Sequence, residues 1–226
     1  MTVAASKQSP ATGVVTELYL RTKALHHEAE RSGIVNDILR GHASLEGYIL
    51  FLRNLLPAYR ELESSLERLS GSPALTALSS YKLDRAIAIE TDLLGLSGPD
   101  WIEKIPLLPE GRAYQRRISA AASEDNGERL IAHAYTRYLG DLSGGLIMRK
   151  LLARSLALNP EQLAFYDFPG FSDLAALKKD YRDSLDRAGN ASSIPAAVVE
   201  EGAIAFALNI DLSLAVQRSL QEPATV

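Results

Sequence analysis

Four histidines, His26, His27, His42 and His133, are the residues best able to hold a metal in a 226-residue chain that contains no cysteine. The absence of cysteine removes disulfides, thiolate metal sites, iron–sulfur clusters and cysteine nucleophiles together. His26 follows Thr22 by one helical turn and precedes Ala29 by three residues, on the apolar side of the pattern Val15, Leu18, Thr22, Leu25, Ala29. An imidazole facing a core needs a partner, either a metal or a backbone carbonyl. His27 is turned away by about 100°, towards Lys23 and Glu30, and is expected to face solvent. His42 lies just before Ser44, where a loop residue is expected. His133 has no second ligand at metal-site spacing and is given no role. The sequence contains no Glu-x-x-His pair and no His-Glu-x-x-His run, so carboxylate-bridged di-iron and zinc sites are disfavoured. A metal at His26 would bring its other ligands with it, as haem does.

Residues 140–145 read Gly-Asp-Leu-Ser-Gly-Gly inside an otherwise helical pattern. Three glycines in a helix interior cost about 3 kcal/mol against alanine, so something should compensate. Gly140 and Gly144 share a helical face, which lets another surface approach the backbone and leaves the helix bendable. Asp141 between them suits a polar network beside a flat, bulky ligand. A plain break between two helices is the competing reading. A membrane GxxxG contact does not fit the charges of Arg137, Asp141, Arg149 and Lys150, and no Gly-Lys-Ser/Thr follows to make a phosphate loop. Lys178 and Arg182 form an i, i+4 pair with Tyr181 between them, and Lys23 lies one turn before His26. These cations are either a solvated helix face or a clamp for carboxylates at a pocket edge.

Helices must position these groups. From Leu45 to Leu66 the apolar residues step by three and four, with Ser44 as N-cap and Pro57 as an expected kink. The first helix should stop near Ser32-Gly33. Further helices fit 83–95, 111–123, 127–156, 173–187 and 195–220, separated by Gly98-Pro99, Pro106/Pro109, Asn159-Pro160 and Phe168-Pro169-Gly170. No period-two run, hairpin dipeptide or long repeat is present. An all-α, multi-helix single domain over 14–220 is expected, with a flexible tail at 1–13 and a short one at 221–226. A hydrophobic fraction of 46% and a net charge of −4 suit a globular chain without a basic field for nucleic acid. No uncharged apolar run reaches the roughly 18 residues of a membrane span, and residues 1–13 lack a signal-peptide core. No membrane partner and a cytoplasmic location are therefore expected.

The run LIAHAYTRYLGDLSGG, Leu130 to Gly145, resembles the signature of the haem oxygenases, and KALHHEAE, Lys23 to Glu30, is similar to the segment carrying the family's proximal histidine. ETDLLGLSGPDW at 90–101, FPG at 168–170, KKDYR at 178–182 and AFALNI at 205–210 extend the resemblance over roughly residues 14 to 217. The resemblance implies haem held between a proximal helix and a kinked, glycine-rich distal helix. It implies His26 as the axial iron ligand with Glu30 beside it, and Gly140 and Gly144 against the haem face. Asp141 would anchor a water network joined by Tyr59, Arg137 and Asn209. Lys23, Tyr135, Lys178 and Arg182 would hold the propionates, with Ser143 and Phe206 as further haem contacts.

The reaction so implied opens haem b, at once cofactor and substrate, to biliverdin with release of CO and ferrous iron. It uses O2 and an external reductant. No G-x-G-x-x-G fingerprint is present, so electrons would come from a partner such as ferredoxin or a flavin reductase. Three positions depart from the family pattern: Leu146 replaces a common Gln, Tyr19 a common Lys, and Ser213 a frequent aromatic near the pocket wall. They bear on haem orientation. The alternatives are a haem-sequestering or haem-sensing protein, for which Asp141 has no evident use, and a thiaminase-like protein, which would need the missing cysteine.

Overall fold

The computed structural model describes residues 13–221. The expected tails at 1–13 and 221–226 lie outside the described residues except for Gly13 and Gln221. Among the described residues all regular structure is helical.

Helix α1 (Val14–Ala29) buries Val14, Val15, Leu18, Thr22 and Ala29, close to the apolar stripe read from the sequence. Its start is tied to the helix over Leu174–Ala191, because the Val15 N–H donates to Asp186 Oδ1 at 2.9 Å. Helix α2 (Gly33–Arg40) follows at once. The sequence reading placed a stop at Ser32-Gly33 but no helix after it. Gly33 has φ +59°, and a side chain there would collide with the Ser213 backbone, so only glycine makes this corner.

Helix α3 (Leu45–Arg68) begins at the expected cap, with Ser44 Oγ accepting the Gly47 N–H at 3.0 Å, and continues through Pro57. Two short helices, α4 (Thr76–Ser79) and α6 (Trp101–Lys104), flank α5 (Arg85–Ser97), and α7 (Pro109–Ser123) starts on a proline at its first turn. Helix α10 (Leu174–Ala191) is capped by Asp173, which accepts the Ala175 and Ala176 N–H groups. Helix α11 (Pro195–Gln221) is the longest. It packs on α1, α2 and α7, while α3 packs on α5 and α7.

The helix expected over 127–156 is three segments. Helix α8 (Leu130–Ala134) runs into a π-helical turn (Tyr135–Leu139), which runs into α9 (Gly140–Ser155). A π turn inserts one residue into the helical ladder and swings the side chains around it. Here it buries Thr136, Arg137, Tyr138 and Leu139 and delivers Gly140 at the head of α9. The helix is thus distorted just before the glycines rather than broken at them.

Candidate functional site

A cavity of about 650 Å³ lies between α1 and α9, with walls from α2, α3, α10 and α11. Thirteen of the fourteen residues expected to form the site border it: Lys23, His26 and Glu30; Tyr135, Arg137, Gly140, Asp141, Ser143 and Gly144; Lys178 and Arg182; Phe206 and Asn209. Tyr59 does not border it. This residue is fully buried and touches Asp141, which does. A second hollow of about 390 Å³, beside Lys82–Arg85 and Phe168–Phe171, contains none of these residues.

His26 is not enclosed by the core, as its place on the apolar side suggested. Its side chain is 54% exposed, bordering the cavity, with Nδ1 3.5 Å from Glu30 Oε1 and its ring 5.8 Å from that of Phe206. The core stripe of α1 passes through Leu18, Thr22 and Ala29, and His26 sits at its edge. His27 is exposed as expected, yet its side chain also borders the cavity. His42 is an exposed loop residue.

On the other helix the glycines leave room. A Cβ built on Gly140 or Gly144 would meet no atom within 4 Å, whereas one on Gly145 would touch Tyr166 at 3.5 Å. Gly140 and Gly144 therefore keep an open cradle, and Gly145 a packing contact. The missing side chains are not explained by neighbours inside the protein, which is what a bulky flat ligand would require.

Asp141 sits over this space. Tyr59 Oη donates to its Oδ2 at 2.7 Å. Burial pushes the carboxyl up to about 6, against the opposing pull of Arg137, the Tyr59 hydrogen bond and Arg85. Burial also lifts the Tyr59 phenol well above its usual range, so it stays a donor. A carboxyl near 6 is suited to holding and passing protons at neutral pH. Arg137 lies over the rings of Tyr59 and Tyr114 at 5.8 and 5.7 Å. Burial opposes its charge, but Tyr114, Tyr59 and Asp141 more than restore it. Arg137 Nε and Asn209 Oδ1 are buried without a hydrogen-bond partner among the described residues. Unpaired groups of this kind call for water or ligand.

The cations gather at the rim. Lys23, Lys178 and Arg182 border the cavity and are exposed. Neighbouring Lys179 instead pairs with Asp183 at 2.8 Å. Of the departures from the family pattern, Tyr19 borders the cavity, while Leu146 is 48% exposed and does not. Ser213 is not at the cavity wall. Fully buried, it accepts the Val35 N–H at 3.1 Å and donates to the Ser32 carbonyl at 2.9 Å, holding the α1–α2 corner.

Two arrangements were missed by the sequence reading. His133, given no role, is fully buried with Nε2 3.0 Å from Glu201 Oε1, and Glu201 also pairs with Arg117 at 2.5 Å. Burial lowers the imidazole pKa. Burial alone would raise Glu201, but its bonds from His133 and Arg117 bring it to about 2. This network anchors α8, just before the π turn, to α7 and α11. Its partners lie on three helices, beyond any local spacing rule. The second arrangement is a clamp. Asp92 accepts the N–H groups of Ala164 and Phe165 at 2.7 and 2.9 Å, while Arg85 donates to the Phe165 carbonyl at 2.6 Å and lies over Phe168 at 4.0 Å. The held turn sets Phe165 edge-on to Tyr59, ring centres 5.4 Å apart.

The comparisons with known proteins agree with this geometry. The Heme oxygenase family profile matches residues 12–215. Heme oxygenase 1 of Nostoc sp. is 34% identical over 203 residues, covering 89% of this chain and 85% of that protein. Heme oxygenase 1 of Rattus norvegicus is 36% identical over 204 residues, 89% of this chain and 70% of the relative. Among solved structures, heme oxygenase-1 from Synechocystis sp. in complex with heme superposes with a TM-score of 0.85 at 30% identity, covering 93% of this chain and 95% of the other. The heme oxygenase from Leptospira interrogans gives 0.84 at 29% identity, with 90% and 100% covered. With a profile match across the expected helices and an open glycine cradle facing a histidine-lined cavity, the chain belongs to the haem oxygenase family.

Proposed function

We propose that this protein, as a domain spanning 14–220, binds haem b in the 650 Å³ cavity and cleaves it to biliverdin, releasing CO and ferrous iron. O2 and electrons from an external donor, a ferredoxin or a flavin reductase, complete the reaction. Bound haem supplies both the iron that activates oxygen and the ring that is opened.

The chain's own residues divide the remaining work. His26 would hold the iron through its imidazole, and Glu30, whose Oε1 lies 3.5 Å from His26 Nδ1, would orient the ring. Lys23, Lys178 and Arg182 attract the propionates by charge, and Tyr135 adds a hydroxyl. Gly140 and Gly144 admit the flat face to the helix backbone, and Ser143 and Phe206 complete the walls. Gly140 and Gly144 present no side chain to that face. Asp141, held by Tyr59, instead orders water and holds or passes the proton, while Arg137 and Asn209 present unsatisfied polar atoms to the same network.

The pairing of an open glycine face with a Tyr59-bound Asp141 carries this reading. A haem-sequestering protein would have no use for a carboxylate tuned to about 6 beside that face. A cytoplasmic location would give access to the reduced donors.

The test is optical. Haem mixed with the protein and reduced by ascorbate or a reductase should lose its Soret band as a biliverdin band grows. Asp141→Ala should still bind haem but give little biliverdin. A stable Soret band in the reduced wild-type protein would make it a carrier.

A further inference from the structure

Four tyrosine rings run in contact from behind Asp141, which lines the cavity, to the surface. Tyr59 lies 6.1 Å from Tyr138, Tyr138 5.9 Å from Tyr181, and Tyr181 5.0 Å from Tyr81, centre to centre. Two of the three contacts are edge-to-face, at 83° and 89°, a favourable arrangement for aromatic rings. The three inner members are buried, and Tyr81 is half-buried at the far end. They come from α3, the π turn, α10 and the loop after α4.

Both ends have a carboxylate to take a proton. Tyr59 Oη donates to Asp141 Oδ2. Tyr81 Oη donates to the exposed Asp180 carboxylate and lies 2.8 Å from Ser184 Oγ. Oxidation of a phenol by one electron is greatly eased when its proton can move at the same time to a hydrogen-bonded base. The chain thus has oxidisable groups at short intervals and a proton acceptor at each terminus. At Tyr138 and Tyr181 packing alone would be served equally by phenylalanine, and the reaction proposed above makes no use of Tyr138, Tyr181 or Tyr81.

We propose that Tyr59, Tyr138, Tyr181 and Tyr81 form a relay that carries a stray oxidising equivalent out of the cavity to the surface. The proposal rests on haem occupying the cavity. The oxidant is haem over-oxidised by peroxide. Tyr59 gives it one electron and gives its hydroxyl proton to Asp141, leaving a neutral phenoxyl. An electron drawn from Tyr81 through Tyr181 and Tyr138 restores Tyr59, which recovers its proton from Asp141, while Tyr81 loses its proton to Asp180. A small one-electron reductant in solution, such as ascorbate, then returns the electron at Tyr81, and Asp180 returns the proton. The hole leaves without oxidising the cavity wall, where Met148 is the vulnerable side chain.

The experiment treats haem-loaded protein with hydrogen peroxide in the presence of a nitrone spin trap and maps the adducts by peptide mass spectrometry. The wild type should carry an adduct at Tyr81. Tyr181→Phe, which removes one hydroxyl and keeps the ring, should lose the Tyr81 adduct to the haem-free background and gain sulfoxide at Met148. Exposed Tyr19, which borders the cavity directly, should be labelled in both. Freeze-quenched paramagnetic resonance gives a second reading, in which Tyr81→Phe should lengthen the life of the inner radical. Circular dichroism confirms that each variant is folded. A Tyr81 adduct that survives Tyr138→Phe and Tyr181→Phe, or forms equally without haem, overturns the relay, as does its absence from the haem-loaded wild type. Failure to take up haem, read from the absorption spectrum before peroxide is added, would instead defeat the reading of the site.

Discussion

Tyr59 on α3 and Asp141 on α9, 82 positions apart in sequence, are joined by a 2.7 Å hydrogen bond in which the phenol donates to the carboxylate. The bond favours the ionised carboxylate, whereas burial favours the neutral one, and the balance is a pKa of about 6. Removing the donor should tip that balance. In Tyr59→Phe the acid limb of biliverdin formation should move to higher pH, because the carboxyl loses a bond that stabilised its charge. An unmoved limb would show that Asp141 does not govern it.

The same carboxyl links pH to stability. Asp141 is raised from 3.8 in the unfolded chain to about 6 in the fold. Its contribution to stability is therefore complete below pH 4 and is lost as pH rises through 6. At 1.36 kcal/mol per unit, the change is at most about 3 kcal/mol. Asp141→Asn should match the wild type near pH 4 and become the more stable protein near pH 8, as measured by urea unfolding without haem. Equal differences at the two pH values would contradict a strained buried carboxylate.

Gly140 and Gly144 should separate stability from binding. Their missing side chains leave open space, so alanine meets no clash and should stabilise the haem-free helix by up to about 1 kcal/mol at each position. A larger residue such as leucine should fold but fill the cradle and sharply weaken haem uptake. Gly33→Ala is the contrasting control. It faces positive φ and the Ser213 backbone together and should lower the melting temperature. Normal haem uptake by Gly144→Leu would exclude a ligand lying on that face.

His26 and His27 both border the cavity, and ligation distinguishes them. His26→Ala should remove the histidine-ligated haem spectrum, whereas His27→Ala should keep it. The reverse result would move the iron ligand by one residue.

Glu201 should be needed for folding rather than chemistry. Its carboxylate is fully buried between Arg117 and His133. Glu201→Ala leaves the buried His133 Nε2 without its partner and Arg117 with Glu124 alone, and a buried polar group left unsatisfied costs about 1–3 kcal/mol. Thermal unfolding should show the loss in haem-free protein. A melting temperature near that of the wild type would mean that water substitutes for the carboxylate.

The sequence by itself determined the all-α class, most helix limits, the absence of thiolate chemistry and thirteen of the cavity's bordering residues. These follow from local rules. Apolar residues three and four apart must share a helical face, caps and prolines end helices, and a motif places neighbouring residues together whatever surrounds them. Helix α2 escaped because the Ser32-Gly33 stop signal is real but is followed at once by a new helix, made possible by the packing of Gly33 on Ser213. The π turn escaped because Tyr135 to Leu139 look like any helical stretch, and only the surrounding helices make its irregular ladder worthwhile. His26 was read as core-facing because periodicity reports which side of a helix is apolar, and it does not report whether that side meets a core or a cavity. Tertiary structure alone decided that the cavity is open there, that Tyr59 reaches Asp141 from behind it, and that His133 meets Glu201. Each is a contact between residues far apart in the chain, created when separate helices bury their apolar faces together, and no local spacing encodes it.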